Sequence, residues 1–190
     1  MKKLSLILAP ALLTASPALA HLNPGEHGSF AAGFTHPVFG ADHVLAMVSV
    51  GLWAALLGGR AIWMLPVSFV AAMCAGFLLA LAGLMLPFVE PVILASVMVL
   101  GVAVALAARV PAGLGAAVVA VFALFHGYAH GTEIGGATAL TYLGGFAVAT
   151  ALLHGAGLAL GLVLSRWVSP ALTRVAGGAV AIVGAALAVG

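Results

Sequence analysis

The sequence predicts an all-α fold, a polytopic membrane helix bundle of about six transmembrane helices. Hydrophobic residues make up 65% of the 190-residue chain and charged residues only 5%, whereas an ordinary soluble domain is about 25% charged. A water-soluble fold of this size cannot hide so much apolar surface, so the bilayer must be the solvent. Apolar segments of spanning length, separated by very short joints, point the same way.

Residues 1–20 are typical of a secretory signal peptide. Two lysines supply the positive region, Leu4 to Leu13 the apolar core, and Ala18-Leu19-Ala20 a small-x-small cleavage site. The alternative is an uncleaved first transmembrane helix, but the core is short for a span of roughly 20 residues and two prolines interrupt it. Cleavage leaves one transmembrane domain, residues 21–190, with a short periplasmic tail at 21–29.

Six apolar segments follow the leader, and we expect each to form a transmembrane helix. They are Phe30–Leu57, Ala61–Leu86, Pro91–Ala108, Ala112–His130, Gly136–Ser165 and Pro170–Val189. Lipid gives no hydrophobic drive for helix association, so the 25 glycines and the frequent alanines must carry the packing by allowing close helix approach. No room is left for a separate soluble domain.

The charged residues predict the orientation of the bundle. A cleaved leader places the mature N-terminus in the periplasm, and successive joints then alternate sides. The joints assigned to the cytoplasm hold all the Lys and Arg of the mature chain: Arg60, Arg109, Arg166 and Arg174. The opposite joints hold Glu90 and Glu133. Because this agrees with the positive-inside rule, we predict a multi-pass protein of the cell inner (cytoplasmic) membrane.

Ionisable residues in the membrane core are costly and by default mark function. They concentrate in two segments of this chain. The first predicted helix carries His36, Asp42 and His43, and the fourth ends in the run Phe125–Glu133, which contains two more histidines. At about 1.5 Å per residue, both groups fall in the outer half of the bundle. We therefore predict that they converge on one polar cavity that opens toward the periplasm.

The spacing in the fourth helix suits a metal ion. His126 and His130 are four residues apart and share a helix face, which places two imidazoles near one cation. Glu133 continues that face by one turn if the helix persists through Gly131. A carboxylate and two imidazoles are then candidate ligands on one helix.

The first helix presents a geometric problem. His36 and His43 share a face but lie about 10 Å apart along a regular helix. One ion contacts both only if Pro37 and Gly40 break the helix, and such breaks are tolerated where backbone lines a cavity. Asp42 points about 100° away from His43 on an ideal helix. It is a candidate either for direct ligation or for orienting an imidazole.

Three more residues are candidates for the metal path. Glu90 lies between Pro87 and Pro91 at the outer joint of the second and third helices. His154 lies in the fifth helix, where a single histidine equally often bonds to a neighbouring helix. His21 becomes the first residue after cleavage, and its α-amine and imidazole together can chelate a divalent metal.

The donor types restrict the metal and exclude several functions. The one cysteine, Cys74, cannot build a thiolate cage, and imidazole with carboxylate suits nickel, cobalt or zinc better than copper(I). The donors do not choose among those three ions. The sequence has no interleaving of aromatic and basic residues, so it does not indicate nucleic-acid binding. No Walker-type loop is present, so the chain does not itself use ATP, and the sequence shows no ATPase subunit.

The two histidine segments resemble the signature motifs of the HupE/UreJ family. Its H-x₅-D-H pattern matches His36, Asp42 and His43. Its F-H-G-x-[AV]-H-G-x-E pattern matches Phe125, His126, Gly127, Ala129, His130, Gly131 and Glu133. The leader and His154 are also similar to that family, so the resemblance covers essentially the whole chain.

The resemblance implies a secondary permease and not an enzyme. It implies that Ni²⁺ is carried into the cytoplasm for maturation of a hydrogenase or urease, with Co²⁺ as the alternative ion. The metal would be a transported substrate, and no prosthetic cofactor is expected. A third, different hypothesis is an intramembrane zinc hydrolase, in which histidines and an aspartate hold Zn²⁺ with one position open for water. The absence of an obvious oxyanion donor set in the sequence argues against it.

Overall fold

All regular structure is helical in residues 29–134 and 138–189, the part of the chain that the computed structural model describes. The elements are α1 (Phe30–Phe39), α2 (Ala41–Leu57), α3 (Ala61–Leu81), α4 (Val89–Ala105), α5 (Ala112–Glu133), α6 (Ala139–Val163), a π-helical turn (Leu164–Val168) and α7 (Pro170–Val189). This confirms the predicted all-α fold class. The predicted signal peptide and His21 lie outside the described residues.

Length and composition show which helices suit a bilayer. Four stretches, namely α3, α5, α6 with its π turn, and α7, are long and apolar enough to cross a membrane. The bent pair α1 and α2 makes a fifth if it counts as one span, and α4 is a shorter apolar helix of 17 residues. The chain is therefore a multi-pass helical membrane bundle. The count of about six complete spans stays a prediction.

The prediction that Phe30–Leu57 forms one continuous helix is wrong, because α1 and α2 meet at Gly40 with their axes 84° apart. Pro37 lacks a backbone N–H, and its ring crowds the carbonyl of the preceding turn, which weakens the helix there. Gly40 then adopts extended backbone, with φ −84° and ψ 112°. Ser29 starts α1, and its side-chain oxygen accepts a hydrogen bond from the Ala32 N–H at 3.0 Å.

Several other boundaries differ from the sequence expectation by a few residues, and two of them affect the carboxylate-bearing end of the bundle. The helix predicted to reach Leu86 ends at Leu81, and Gly83 follows in the left-handed region at φ 73°, a conformation that favours glycine. The helix predicted to end at His130 continues through Gly131 to Glu133. That extension keeps the carboxylate on the same helix as the histidines before it.

Helices pack in four close pairs, one of which is α1 with α6. α3 pairs with α5 in parallel, since Met73 lies beside Gly127 and Phe77 beside Gly131. α2 also runs parallel to α6, and α4 runs antiparallel to α7. α2 contacts α3, α4 and α7 besides α6, so it lies at the centre of the bundle.

These directions separate the charged joints into two ends. The arginine end holds the joints that contain Arg60, Arg109, Arg166 and Arg174, and the carboxylate end holds Glu90 and Glu133. Two hydrogen bonds join neighbouring segments at the arginine end. Trp53 Nε1 donates to the Ala108 carbonyl at 2.9 Å, and Arg174 Nε donates to the Ala105 carbonyl at 2.8 Å.

Gly157 and Gly155 provide a matched test of helix packing on α6. A Cβ at Gly157 would meet the backbone carbonyl of Val48 in α2, whereas a Cβ at Gly155 would meet nothing within 4 Å. We expect Gly157→Ala to lower the free energy of unfolding by about 1–3 kcal/mol, because the two backbones must separate. Gly155→Ala should leave it equal or raise it by about 0.5–1 kcal/mol, since alanine favours helix.

The measurement is denaturation by sodium dodecyl sulfate in mixed micelles, followed by circular dichroism. Equal destabilisation by both substitutions would contradict the close approach of α2 and α6.

Candidate metal site

The turn at Gly40 brings both histidines of the H-x₅-D-H motif next to His130. The ring centroids of His36 and His130 are 4.6 Å apart, and those of His43 and His130 are 4.5 Å apart. α1 is held in this position by α6, because Gly33 lies directly against the backbone carbonyl of Tyr142. The broken helix therefore removes the separation of about 10 Å that a continuous helix would impose.

α5 carries the second motif, Phe125–Glu133, and places His130 beside His36 and His43. Its last turn passes Gly131, where a side chain would collide with the backbone of Phe77 in α3. This close approach positions His130 and Glu133 one turn apart on one face. His130 Nδ1 lies 3.5 Å from Glu133 Oε2, and His36 Nε2 lies 3.9 Å from the same oxygen.

His36, His130 and Glu133 form a group that we call the outer cluster. Each offers one ligand atom, and the three atoms all lie within 4.8 Å of one another. Ligands about 2.0–2.2 Å from a shared ion lie roughly 3–3.5 Å apart, so a small contraction would bring all three onto one cation. The arrangement fits a three-donor metal site with coordination positions left for water.

The outer cluster spans the boundary between surface and interior. The Glu133 side chain is 57% exposed, that of His36 is 28% exposed, and that of His130 only 3%. An ion that arrives from solvent therefore meets the carboxylate first and the buried imidazole last.

Asp42 orients the imidazole of His43. Asp42 Oδ2 lies 3.0 Å from His43 Nδ1, so the carboxylate accepts the Nδ1–H, and in the neutral imidazole the lone pair is then on Nε2. That Nε2 lies 2.5 Å from His130 Nε2. Two lone pairs cannot face each other at this distance, so His130 Nε2–H is the donor. Asp42 is thus an orienting residue behind the histidines.

This assignment leaves a lone pair on His130 Nδ1, on the side that faces Glu133. In this tautomer a nitrogen lone pair and a carboxylate oxygen, both acceptors, face each other at 3.5 Å. Such a pair repels unless a cation lies between the two atoms. The hydrogen-bond chain from Asp42 through His43 and His130 therefore favours a metal ion at the outer cluster on electrostatic grounds.

His126 lies deeper and is fully buried. Its Nε2 lies 2.9 Å from Ser96 Oγ, and the Ser96 hydroxyl donates its own proton to the Ile93 carbonyl at 2.6 Å. Ser96 therefore accepts from His126 Nε2–H, and the lone pair of His126 is on Nδ1. That atom has no hydrogen-bond partner in the described structure. The His126 ring packs edge-on against His43, with centroids 4.9 Å apart.

The structure brings together the six motif residues at the carboxylate end: His36, Asp42, His43, His126, His130 and Glu133. Glu90 lies at the same end but is exposed in the first turn of α4, and within the described residues it forms no hydrogen bond or ion pair with them. His154 lies further along the bundle. His21 lies outside the described residues. The metal-ligand roles of all these residues remain predictions.

Sequence reasoning missed three side chains that shape the site. Ser96 determines the tautomer of His126, Tyr142 packs 6.2 Å from the His36 ring, and Phe146 packs 4.5 Å from the His130 ring. None belongs to a motif that contains histidine or carboxylate. Their positions follow from how α4 and α6 pack against α5, which no local pattern encodes.

The fold and this cluster define a class: multi-pass helical membrane proteins with a group of histidine and carboxylate side chains between their helices. The family described as HupE / UreJ protein matches residues 9–187. The chain is also 43% identical over 190 residues to Protein HupE of Rhizobium leguminosarum bv. viciae, which covers 99% of this chain and 100% of the relative. No solved structure matches the chain.

This chain therefore belongs to the HupE/UreJ family, as its motifs suggest. The family is a metal transport and accessory family, associated with nickel or cobalt uptake for hydrogenases and ureases, and it is not a known enzyme family.

Asp42→Asn tests the orienting role of the carboxylate. The amide keeps the shape of the side chain but loses the negative charge of the group that accepts the His43 Nδ1–H and aligns the hydrogen-bond chain to His130. We expect the dissociation constant for Ni²⁺ to rise about 10–100-fold, as is typical when an orienting partner is removed. The measurement is isothermal titration calorimetry on the purified protein in nanodiscs.

Thr35→Val is the matched control on the neighbouring helix. The Thr35 hydroxyl donates to the Ala31 carbonyl of its own helix, so its removal leaves the metal donors in place. Unchanged affinity in Asp42→Asn, or an equal loss in Thr35→Val, would contradict the assignment.

Proposed function

We propose that this chain is a secondary permease that carries Ni²⁺ from the periplasm across the inner membrane into the cytoplasm, where it supplies hydrogenase or urease maturation. The single observation that carries the proposal is the outer cluster, a half-exposed three-donor site backed by further buried imidazoles. Membership of the HupE/UreJ family supports the same function.

The distribution of charge supports the direction of transport. Arginines concentrate at cytoplasmic joints of inner-membrane proteins. If the arginine end faces the cytoplasm, the carboxylate end and the exposed Glu133 face the periplasm, where the ion is captured. The same orientation places the mature N-terminus in the periplasm.

The donor set suits capture followed by release. The Glu133 carboxylate attracts the hydrated cation, and the imidazoles of His36 and His130 replace some of its water ligands. Three donors that do not close around the ion hold it more weakly than a complete tetrahedral cage would. Transport requires binding that is favourable enough to enter and weak enough to leave.

Nickel is proposed ahead of cobalt on the family relationship, since nitrogen and oxygen donors accept both ions. A Co²⁺ permease of the same type is the alternative. Cys74 is not part of the outer cluster, so no soft thiolate biases the site toward copper(I).

Metal accumulation in cells that express the full chain tests both the function and the ion. We expect cells supplied with trace Ni²⁺, Co²⁺ or Zn²⁺ to accumulate nickel above the level of an empty-vector strain, measured by inductively coupled plasma mass spectrometry. Selective cobalt accumulation would support the alternative ion. Accumulation of zinc alone, or of none of the three, would contradict the proposal.

His130→Ala tests the outer cluster directly. It removes the imidazole that contacts His43, His36 and Glu133, so we expect uptake to fall at least about 10-fold while the protein remains in the membrane. Thr173→Val is the control, because Thr173 is an equally buried polar residue on α7. Uptake at the wild-type rate in His130→Ala would remove the outer cluster from the transport path.

A further inference from the structure

His154 is a buried histidine that has no role in the outer cluster. It is 1% exposed, and neither of its ring nitrogens has a hydrogen-bond partner in the described structure. Burial of a polar group without a partner costs free energy, so native proteins satisfy nearly all such groups. A structural histidine would be bonded to a neighbouring helix. This one has two unpaired nitrogens.

The surroundings of His154 connect it to the motif histidines. The Phe69 ring of α3 packs edge-on against the His154 ring, with centroids 4.8 Å apart, and the same ring lies 5.8 Å from His126. Thr150 shares the face of α6 with His154, one turn earlier, and its hydroxyl donates to Met73 Sδ at 3.5 Å. Polar side chains from α5 and α6 thus both lie against one aromatic side chain of α3.

The depth of His154 places it beyond the outer cluster. It lies about 22 Å along α6 from Ala139, past the midpoint of this helix, at a rise of roughly 1.5 Å per residue. Its backbone carbonyl contacts Gly51, which lies about 12 Å along α2 from His43. An ion that moves from the carboxylate end toward the arginine end would pass His126 first and then reach His154.

We propose that His126 and His154 form an inner binding position for the transported divalent cation, a position that rests on the proposed function of the outer cluster. The Nδ1 lone pair of His126 and a ring nitrogen of His154 are its donors, and both are buried and unpartnered. The Phe69 ring contacts both imidazoles and keeps the position dry. The ion passes from the outer cluster to this inner position before release at the arginine end.

Equilibrium binding provides the first test. Full-length protein in nanodiscs is dialysed against NiCl₂, and bound nickel is counted per chain in wild type, His154→Leu and Thr173→Val. We expect His154→Leu, which keeps the side-chain volume but has no donor, to bind one ion per chain fewer than wild type. Thr173→Val also removes a buried polar group and should bind as wild type does. Wild-type stoichiometry in His154→Leu would overturn the inner position.

Transport kinetics separate the inner position from the outer cluster. His154→Leu should lower the maximal uptake rate at least about 10-fold with a half-saturation concentration unchanged within about 2-fold, because capture occurs elsewhere. Glu133→Gln should instead raise the half-saturation concentration. A wild-type maximal rate in His154→Leu would overturn the inner position and leave the proposed function intact. Wild-type protein that neither binds nor transports nickel would overturn both.

His154→Gln distinguishes a ligand from a residue that only holds water. Glutamine can hydrogen-bond to water but offers no imidazole nitrogen. We expect it to transport as slowly as His154→Leu. Recovery of the wild-type rate in His154→Gln would mean that His154 only lines a hydrated path, and this result would also overturn the proposal.

Discussion

The break between α1 and α2 determines where His36 and His43 lie relative to α5. Because the chain turns by 84° at Gly40, His36 and His43 approach the same face of α5 although they are seven residues apart. The break is stable because Pro37 cannot complete the helical hydrogen bonds and because α6 holds α1 through the contact of Gly33 with Tyr142. A straight helix would keep the two histidines on one face but about 10 Å apart, too far for both to contact His130.

The polar interior depends on paired hydrogen bonds between neighbouring helices. Asp42 at the start of α2 orients His43, His43 accepts from His130 on α5, and Ser96 on α4 holds His126. In His126 and His130 one ring nitrogen is thereby the donor and the other, Nδ1, is left without a hydrogen-bond partner as a potential ligand. Both nitrogens of His43 are used in hydrogen bonds, so its role in this arrangement is to orient His130.

Much of the candidate site could be predicted from sequence because buried ionisable groups are rare in a chain that is only 5% charged. The i, i+4 spacing of His126 and His130 indicated a shared face, and α5 is helical throughout that stretch. The sequence shows that one ion can contact both His36 and His43 only if the helix breaks near Gly40. It does not show that the break occurs, since proline and glycine only weaken a helix. The angle of the turn depends on what α1 packs against.

Composition and local pattern by themselves determined that this chain is a helical membrane bundle and which residues are candidates for its chemistry, because burial in lipid restricts the allowed secondary structure and makes each charge conspicuous. Two sequence motifs also indicated the family by resemblance. Only the tertiary structure decided which nitrogen of each histidine faces a partner, that Asp42 lies behind His43, and that His154 meets the Phe69 ring. Those relations join residues that are distant in the chain. They arise from close packing between helices, where a glycine or a single hydrogen bond determines the register.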